Sequence, residues 1–301
     1  MMTNDTPSSS VTHSAHWDQK YLHTIRSSWT ENPYIQRAVN ERMTGDSGMH
    51  WLNWVFTKFL PDRPARVLSV GCGDGSHELI IARQSYADFV YGFDASSVGI
   101  EMASRAAREE SLAAEFETRL FEDFVSNPPP EPFDVALFAG SLHHVRDIEG
   151  MLFTIQNVVK PGGHVIINEY VGPAYQLYDE LQLRLVNLLL DLLPPELVAD
   201  PAFRVRTPTM RTVYATDPSE GIRAPLIPQL LPRFFSPVLV RKMNGALLHP
   251  LFDGINGTTA NIETSLNQRV FDSLVALEQI LTDLRVLSND FMFAVYRNDL
   301  E

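Results

Sequence analysis

Short apolar runs separated by turn residues organise the middle of this chain. VLSV at 67–70, FVYGF at 89–93, FDVALF at 133–138 and HVIINE at 164–169 are rich in β-branched and aromatic residues. Such near-continuous apolar runs predict short strands of a parallel sheet buried on both faces. Between them the period lengthens toward that of a helix over 76–82 and 103–110, with a further strand expected at 115–118 and a loop at the Pro-rich 127–132. Strand alternating with helix predicts an α/β chain.

The flanks differ. Residues 1–15 are rich in Ser and Thr and read as a disordered tail. Residues 16–62 carry a helical pattern with Trp17, Tyr21, Ile25, Trp29, Tyr34, Trp51 and Trp54, read as an N-terminal helical cap whose aromatic residues pack onto the sheet. The Pro-Asp-Arg-Pro break at 61–64 opens the main domain, 63–301. Beyond the strand at 164–169, helical periodicity over 170–193 shows a leucine-rich face of Leu177, Leu181, Leu185, Leu188 and Leu189. Asp217-Pro218-Ser219-Glu220 has the order of an N-cap, a Pro at the first helical position and a Glu closing the capping box, and is read as helix initiation. A strand is expected at 234–240, with Pro237 marking an edge or an irregularity. Turns at Gly254 and Gly257, a helix at 270–284 and a last strand at 291–296 complete the chain. Segments 171–215 and 244–289 are expected to form lid insertions over the carboxyl ends of the strands, where open α/β sheets bind ligands.

The first strand runs into Gly71-Cys72-Gly73-Asp74-Gly75 and then a helix start. A Gly-rich turn there lets backbone approach a nucleotide-type cofactor closely. The second strand ends in Asp94, about 20 residues on, the spacing of an acid that takes ribose hydroxyls. A dinucleotide fold is disfavoured because Ser76 stands where the third Gly of G-x-G-x-x-G would fall.

The order VLSVGCGDG, GFD, FDVALFAGSLHHV and VVKPGGHVIINE, closed by DFMFAVYRN, resembles the class I S-adenosylmethionine (SAM) dependent methyltransferases. The resemblance implies a Rossmann-like seven-stranded sheet and SAM as cofactor, contacted by Gly71, Cys72, Gly73, Asp94, Ala95, Ala139 and Ser141. It also implies an acid after the third strand for the adenine amine. Here Arg119-Leu120 stands at that place and Asp123 comes three residues late, so backbone at Leu120 is the candidate adenine contact.

Composition narrows the partners. A formal net charge of −13 argues against gripping nucleic acid over the whole surface. With Cys72 the single cysteine, no intrachain disulfide can form and a reducing compartment is expected. No secretory leader and no apolar run long enough for a membrane span is visible, so a soluble, cytoplasmic protein is expected, with self-association left open.

For the chemistry, Glu169 at the end of the fifth strand, Tyr170 beside it, and His143 or His144 are the candidate catalytic groups. Arg204, Arg206 and Arg211 offer forked donors to an anion, with Tyr21 and Tyr175 as further substrate contacts. The segments WTENPYIQRAVNERMTGD, NEYVGP and TDPSE resemble a bacterial group of natural-product methyltransferases that includes geranyl diphosphate C-methyltransferases. The leucine-rich helix, the arginines and Glu169 together suggest a small acceptor with an apolar tail and an anionic head, and the resemblance implies a prenyl diphosphate methylated at an alkene carbon. The resulting carbocation would be deprotonated by Glu169, and Mg²⁺ would be held mainly by the substrate diphosphate. An O- or N-methyltransferase with a His base, and a SAM-binding protein without catalysis, are the competing readings.

Overall fold

The computed structural model describes residues 17–18, 29–60, 62 and 66–299. Tyr21, Ile25 and the expected tail at 1–15 lie outside the described residues.

A 3-10 turn at Trp29–Glu31 enters α1 (Pro33–Thr44) and α2 (Trp51–Lys58). α1 starts where Asn32 accepts from the backbone N–H groups of Tyr34 and Ile35, and stops at Gly45, which takes the left-handed conformation of a C-cap. Then follow β1 (Arg66–Val70), α3 (Ser76–Arg83), β2 (Phe89–Asp94), α4 (Ser97–Glu109), β3 (Ala114–Thr118), α5 (Phe121–Ser126), β4 (Phe133–Ala139), α6 (Ile148–Val158) and β5 (Val159–Tyr170). The last third comprises α7 (Glu180–Leu192), α8 (Met210–Ala215), α9 (Ile227–Phe234), β6 (Ser236–Lys242), α10 (Leu248–Leu251), α11 (Gly257–Ala260), α12 (Ser265–Asp283) and β7 (Phe291–Arg297).

The seven strands form one sheet in the order β3-β2-β1-β4-β5-β7-β6, with β7 antiparallel to both its neighbours. The order reverses between β1 and β4, and the crevice outside the carboxyl ends of those two strands is where such sheets take ligands. Val67, Leu68 and Val70 of β1 and Val135–Phe138 of β4 are fully buried, each large apolar side chain contributing about 1.5–3 kcal/mol over exposure.

One face of the sheet is covered by α1, α2, α3 and α12. Trp51 and Trp54 lie 5.9 and 6.1 Å from Phe293 of β7, ring centre to ring centre, and Tyr34 stacks on Phe271 of α12. These aromatic residues pack the helices onto the sheet. On the other face Leu152 and Ile155 of α6 and Ile227 and Leu231 of α9 share a core with Phe93, Phe138 and Tyr296.

Three expectations are corrected. The helix expected from residue 170 starts only at Glu180, because Tyr170 completes β5 opposite Phe291 and Pro173 follows. The leucine-rich face is not buried as a unit: Leu181 and Leu188 are at least half exposed and Leu185 and Leu189 are half-buried against the core, while Gln182, Val186 and Leu190 form the buried side of α7. Asp217–Glu220 begins no helix; it is a succession of tight turns. Pro237 sits, as its chemistry requires, on the edge strand β6 at a register shift.

Candidate active site

Three loops meet at the switch point. The first is the turn after β1, where Gly71 and Gly75 have φ of +69° and +74°. A Cβ on Gly71 would lie 2.5 Å from Ser141 Cβ, and one on Gly75 would lie 2.7 Å from Ala103 Cβ. Both positions therefore demand glycine twice over, by conformation and by close approach. Asp94 at the end of β2 orders this turn: its Oδ2 accepts from Gly73 N–H at 2.9 Å and its Oδ1 from Ser96 N–H at 2.8 Å. Ala95, half-buried, follows Asp94 in the chain and precedes Ser96. Asp18 accepts from Ser96 Oγ and Val98 N–H at the start of α4. Cys72 stays a thiol, because burial and the nearby carboxylates of Glu78 and Asp94 push its pKa up.

The second loop follows β3. Arg119 N–H donates to Asp94 O at 2.8 Å, and half-buried Leu120 is the residue before α5. The third follows β4. Ala139 is half-buried, and a Cβ on Gly140 would meet nothing within 4 Å among the described residues. Ser141 Oγ donates to Val70 O at 2.5 Å and ties this loop to β1. A Gly-rich turn, a ribose-ready carboxylate and Gly140 at adjacent strand ends fit SAM. Gly71, Gly73, Asp94 and Leu120 would hold it on the β1–β3 side, and Ala139–Ser141 would border its sulfonium side.

Glu169 anchors the loop after β4. Its side chain is completely buried. Oε1 accepts from Ser141 N–H and Leu142 N–H, both at 2.7 Å, and Oε2 accepts from His143 Nδ1–H at 2.7 Å. A carboxylate can only accept, so this bond places the His143 proton on Nδ1 and leaves Nε2 as an acceptor. His144 is fixed likewise. Ser219 Oγ donates its single hydrogen to Asp217 Oδ1 at 2.6 Å and must accept from His144 Nδ1–H at 3.0 Å. The two imidazoles lie 4.1 Å apart. Burial pulls the His143 pKa down, but its hydrogen bond to Glu169 and the charges of Glu169, Glu220 and Asp217 together leave it above the ordinary imidazole value.

Glu220 faces both rings and is itself steadied by Gln176 Nε2, which donates to Oε1 at 3.0 Å. Tyr175 and Gln176 have φ of +56° and +55°, two consecutive left-handed residues that are costly without glycine. The strained turn is locked by packing of Gly221 against Tyr170 and Tyr175. Tyr170 donates its hydroxyl to Pro173 O at 2.8 Å, and its ring lies 5.9 Å from that of His143 and 5.8 Å from that of His249. Trp17 meets His144 edge-on at 4.8 Å. His249, driven to a pKa of about 4 by burial, is a neutral wall residue.

The structure thus gathers Glu169, Tyr170, His143, His144 and Tyr175 around one place. It does not gather the arginines there. Arg204 is held by Asp191 at 2.6 Å and by the carbonyls of Pro201 and Phe203. Arg206 lines a separate surface hollow of about 560 Å³ among Glu180, Arg184 and Asp191, and Arg211 is exposed. Asp217, Ser219 and Glu220 were missed as site residues, because their spacing matches a capping box so well that a chemical role had no separate signal.

Residues 49–192 match the family model of a methyltransferase domain. The ubiquinone biosynthesis O-methyltransferase of Xylella fastidiosa (strain 9a5c) is 30% identical over 124 residues, 40% of this chain and 49% of that protein. The enzyme of the same name from Actinobacillus pleuropneumoniae serotype 5b is 33% identical over 101 residues, 33% of this chain and 42% of its own. The chain therefore spans about half the length of these curated relatives. Among solved structures, the [4+2]-cyclase SpnF superposes with a TM-score of 0.51 at 17% identity, covering 98% of both chains, a likeness of fold alone. Residues 49–192 form a methyltransferase domain.

Proposed function

We propose that this chain transfers the methyl group of SAM to a hydroxyl of a small-molecule acceptor bound over His143, His144 and Tyr170. The observation that carries the reading is the pair of imidazoles on the loop after β4, each held at Nδ1 by a buried acceptor, one loop from the cofactor cradle. SAM supplies a methyl carbon on a sulfonium and leaves as S-adenosylhomocysteine (SAH). The protein's task is alignment and proton removal. The acceptor proton passes from oxygen to Nε2 of His143, whose Nδ1–H remains on Glu169, and the freed oxygen pair forms the bond to the methyl carbon. Glu169 acts here as the group that orients His143, since three donors already occupy its oxygens. The relatives, O-methyltransferases of ubiquinone biosynthesis, agree with an oxygen acceptor. SpnF, a cyclase on the same fold, is the reason the fold by itself does not decide the reaction.

A second reading keeps C-methylation of a prenyl diphosphate alkene, favoured by the aromatic rings of Tyr170 and Trp17 against His143 and His144, the first of which bonds to the buried Glu169. There the alkene pair takes the methyl, a ring face steadies the tertiary cation, and a neighbouring C–H gives its proton to the His143–Glu169 pair. The arginines offer this reading no assembled diphosphate site.

The test is SAH release with two probes, catechol and geranyl diphosphate with Mg²⁺, read together with product mass. A methylated catechol, with turnover cut about 10²–10⁴-fold by His143→Ala, supports the oxygen reading. A geranyl diphosphate heavier by one methylene replaces it with the alkene reading. SAH binding without turnover of either probe overturns both.

A further inference from the structure

The gap between the two imidazoles and Glu220 has the geometry of a cation site. His143 Nε2 lies 3.8 Å from Glu220 Oε1, and His144 Nε2 lies 3.9 Å from Glu220 Oε2. Neither distance is a hydrogen bond, which would bring nitrogen and oxygen to about 2.7–3.2 Å. Both Nδ1 atoms carry the ring proton, as the bonds to Glu169 and Ser219 require, so each Nε2 presents a lone pair toward a carboxylate. Lone pairs facing a carboxylate at this range call for positive charge, carried either by a protonated ring or by an ion in the gap, and the ion satisfies both rings at once. The three side chains each offer a ligand atom, all within 4.8 Å of one another. Around a tetrahedral ion with bonds of ~2.1 Å, ligand atoms sit about 3.4 Å apart, so side-chain adjustment alone closes the site.

The surroundings match as closely as the ligands. Histidines that bind metals through one ring nitrogen almost always donate the other N–H to a carboxylate, a backbone carbonyl or a water. His143 does so to Glu169, and His144 donates to the Ser219 hydroxyl, which donates in turn to Asp217. Gln176 plays the same part for Glu220. These supports come from β5, from the strained turn at 175–176 and from the turns at 217–220.

We infer that His143, His144 and Glu220 form a binding site for one divalent transition-metal ion, zinc foremost, with a coordination position left for an acceptor oxygen. Two imidazoles and one carboxylate select a nitrogen-loving ion over Mg²⁺, which prefers oxygen ligands and its own waters. The ion would take over from His143 the ionisation of a bound hydroxyl, the proton leaving to water. That role rests on the methyl-transfer reading; the binding itself does not.

The test is calorimetric titration of Zn²⁺ into the chelator-treated full chain, with SAH binding measured beside it. Expected is one saturable ion per chain, lost in His144→Ala and in Glu220→Gln, and weakened about 10–100-fold by Asp217→Asn. His164→Ala, a histidine in the middle of β5 paired with Arg297 of β7, leaves uptake unchanged. Co²⁺ in place of Zn²⁺ should give visible d–d bands that vanish with Glu220→Gln. Because Glu220 is the most accessible of the three ligands, that variant remains informative if His144→Ala fails to fold. Absence of saturable uptake, or uptake equal in Glu220→Gln and the unaltered chain, overturns the site. Retained SAH binding in that case leaves the methyl-transfer reading standing, whereas lost SAH binding with intact Zn²⁺ uptake does the reverse.

Discussion

Two buried glutamates show how differently the same side chain can be used. Glu169 is fully satisfied, spending its charge on two backbone N–H groups and one imidazole. Glu169→Gln presents an amide N–H₂ where a donor already points. It should lower unfolding free energy by about 2 kcal/mol, read by denaturant titration. A glutamate serving only as a chemical base would show lost turnover at unchanged stability, so an unchanged midpoint would count against the anchoring role. Glu78, at the foot of the Gly-rich turn, is buried with a single short bond from Ser69 Oγ, and Oε2 has no hydrogen-bond partner. Burial therefore raises its pKa from 4.5 to about 7. An acid with a raised native pKa favours the protonated native state. Its contribution is complete below the unfolded pKa and is lost as pH rises through about 7. Thermal midpoints of the unaltered chain should fall between pH 5 and pH 8 by several degrees more than those of Glu78→Gln. Parallel pH profiles would show that Glu78 is not the titrating group.

At the scale of elements, the sheet was legible because its information is local. Each strand is a short apolar run, the turn after β1 is spelled out by glycines, and Asp94 falls at the required spacing. The insertions were less legible, and for identifiable reasons. α7 carries leucines on more than one side, so composition alone could not tell which stripe is buried; tertiary packing selects Val186 and Leu190 and leaves Leu188 and Leu192 outside. The 217–220 turns carry a capping-box pattern, yet Asp217 accepts from Ser219 N–H and Oγ within its own turn and the segment binds across to His144 instead. A local signal was outvoted by a partner 75 residues away in sequence. The exposed stripe gives a direct check: Leu192→Lys, at a side chain 70% exposed, should change unfolding free energy by no more than about 0.5 kcal/mol. A loss of 2 kcal/mol or more would mean that this face is covered in solution.

For the molecule as a whole, the crevice is where separate parts of the chain are joined by few bonds. Asp94 ties the β2 end to the β1 turn, Ser141 ties the β4 loop to β1, and Glu169 ties that loop to β5. The turns from the last third reach the same place through Ser219 and Gln176. A ligand spanning these loops adds its binding energy only to the native state, by RT ln(1 + [L]/Kd). At 100 times its Kd, SAH should raise unfolding free energy by about 2.7 kcal/mol, which for a chain of this size is a midpoint rise of roughly 4 °C. Asp94→Ala removes both the ribose acceptor and the partner of Gly73 N–H, so at the same SAH concentration most of that rise should disappear. Arg206→Ala, in the separate hollow along α7, should keep the full rise. If SAH stabilises the Asp94→Ala chain as strongly as the unaltered one, the cofactor does not lie over the β1–β2 turns, and the assignment of the crevice fails with it.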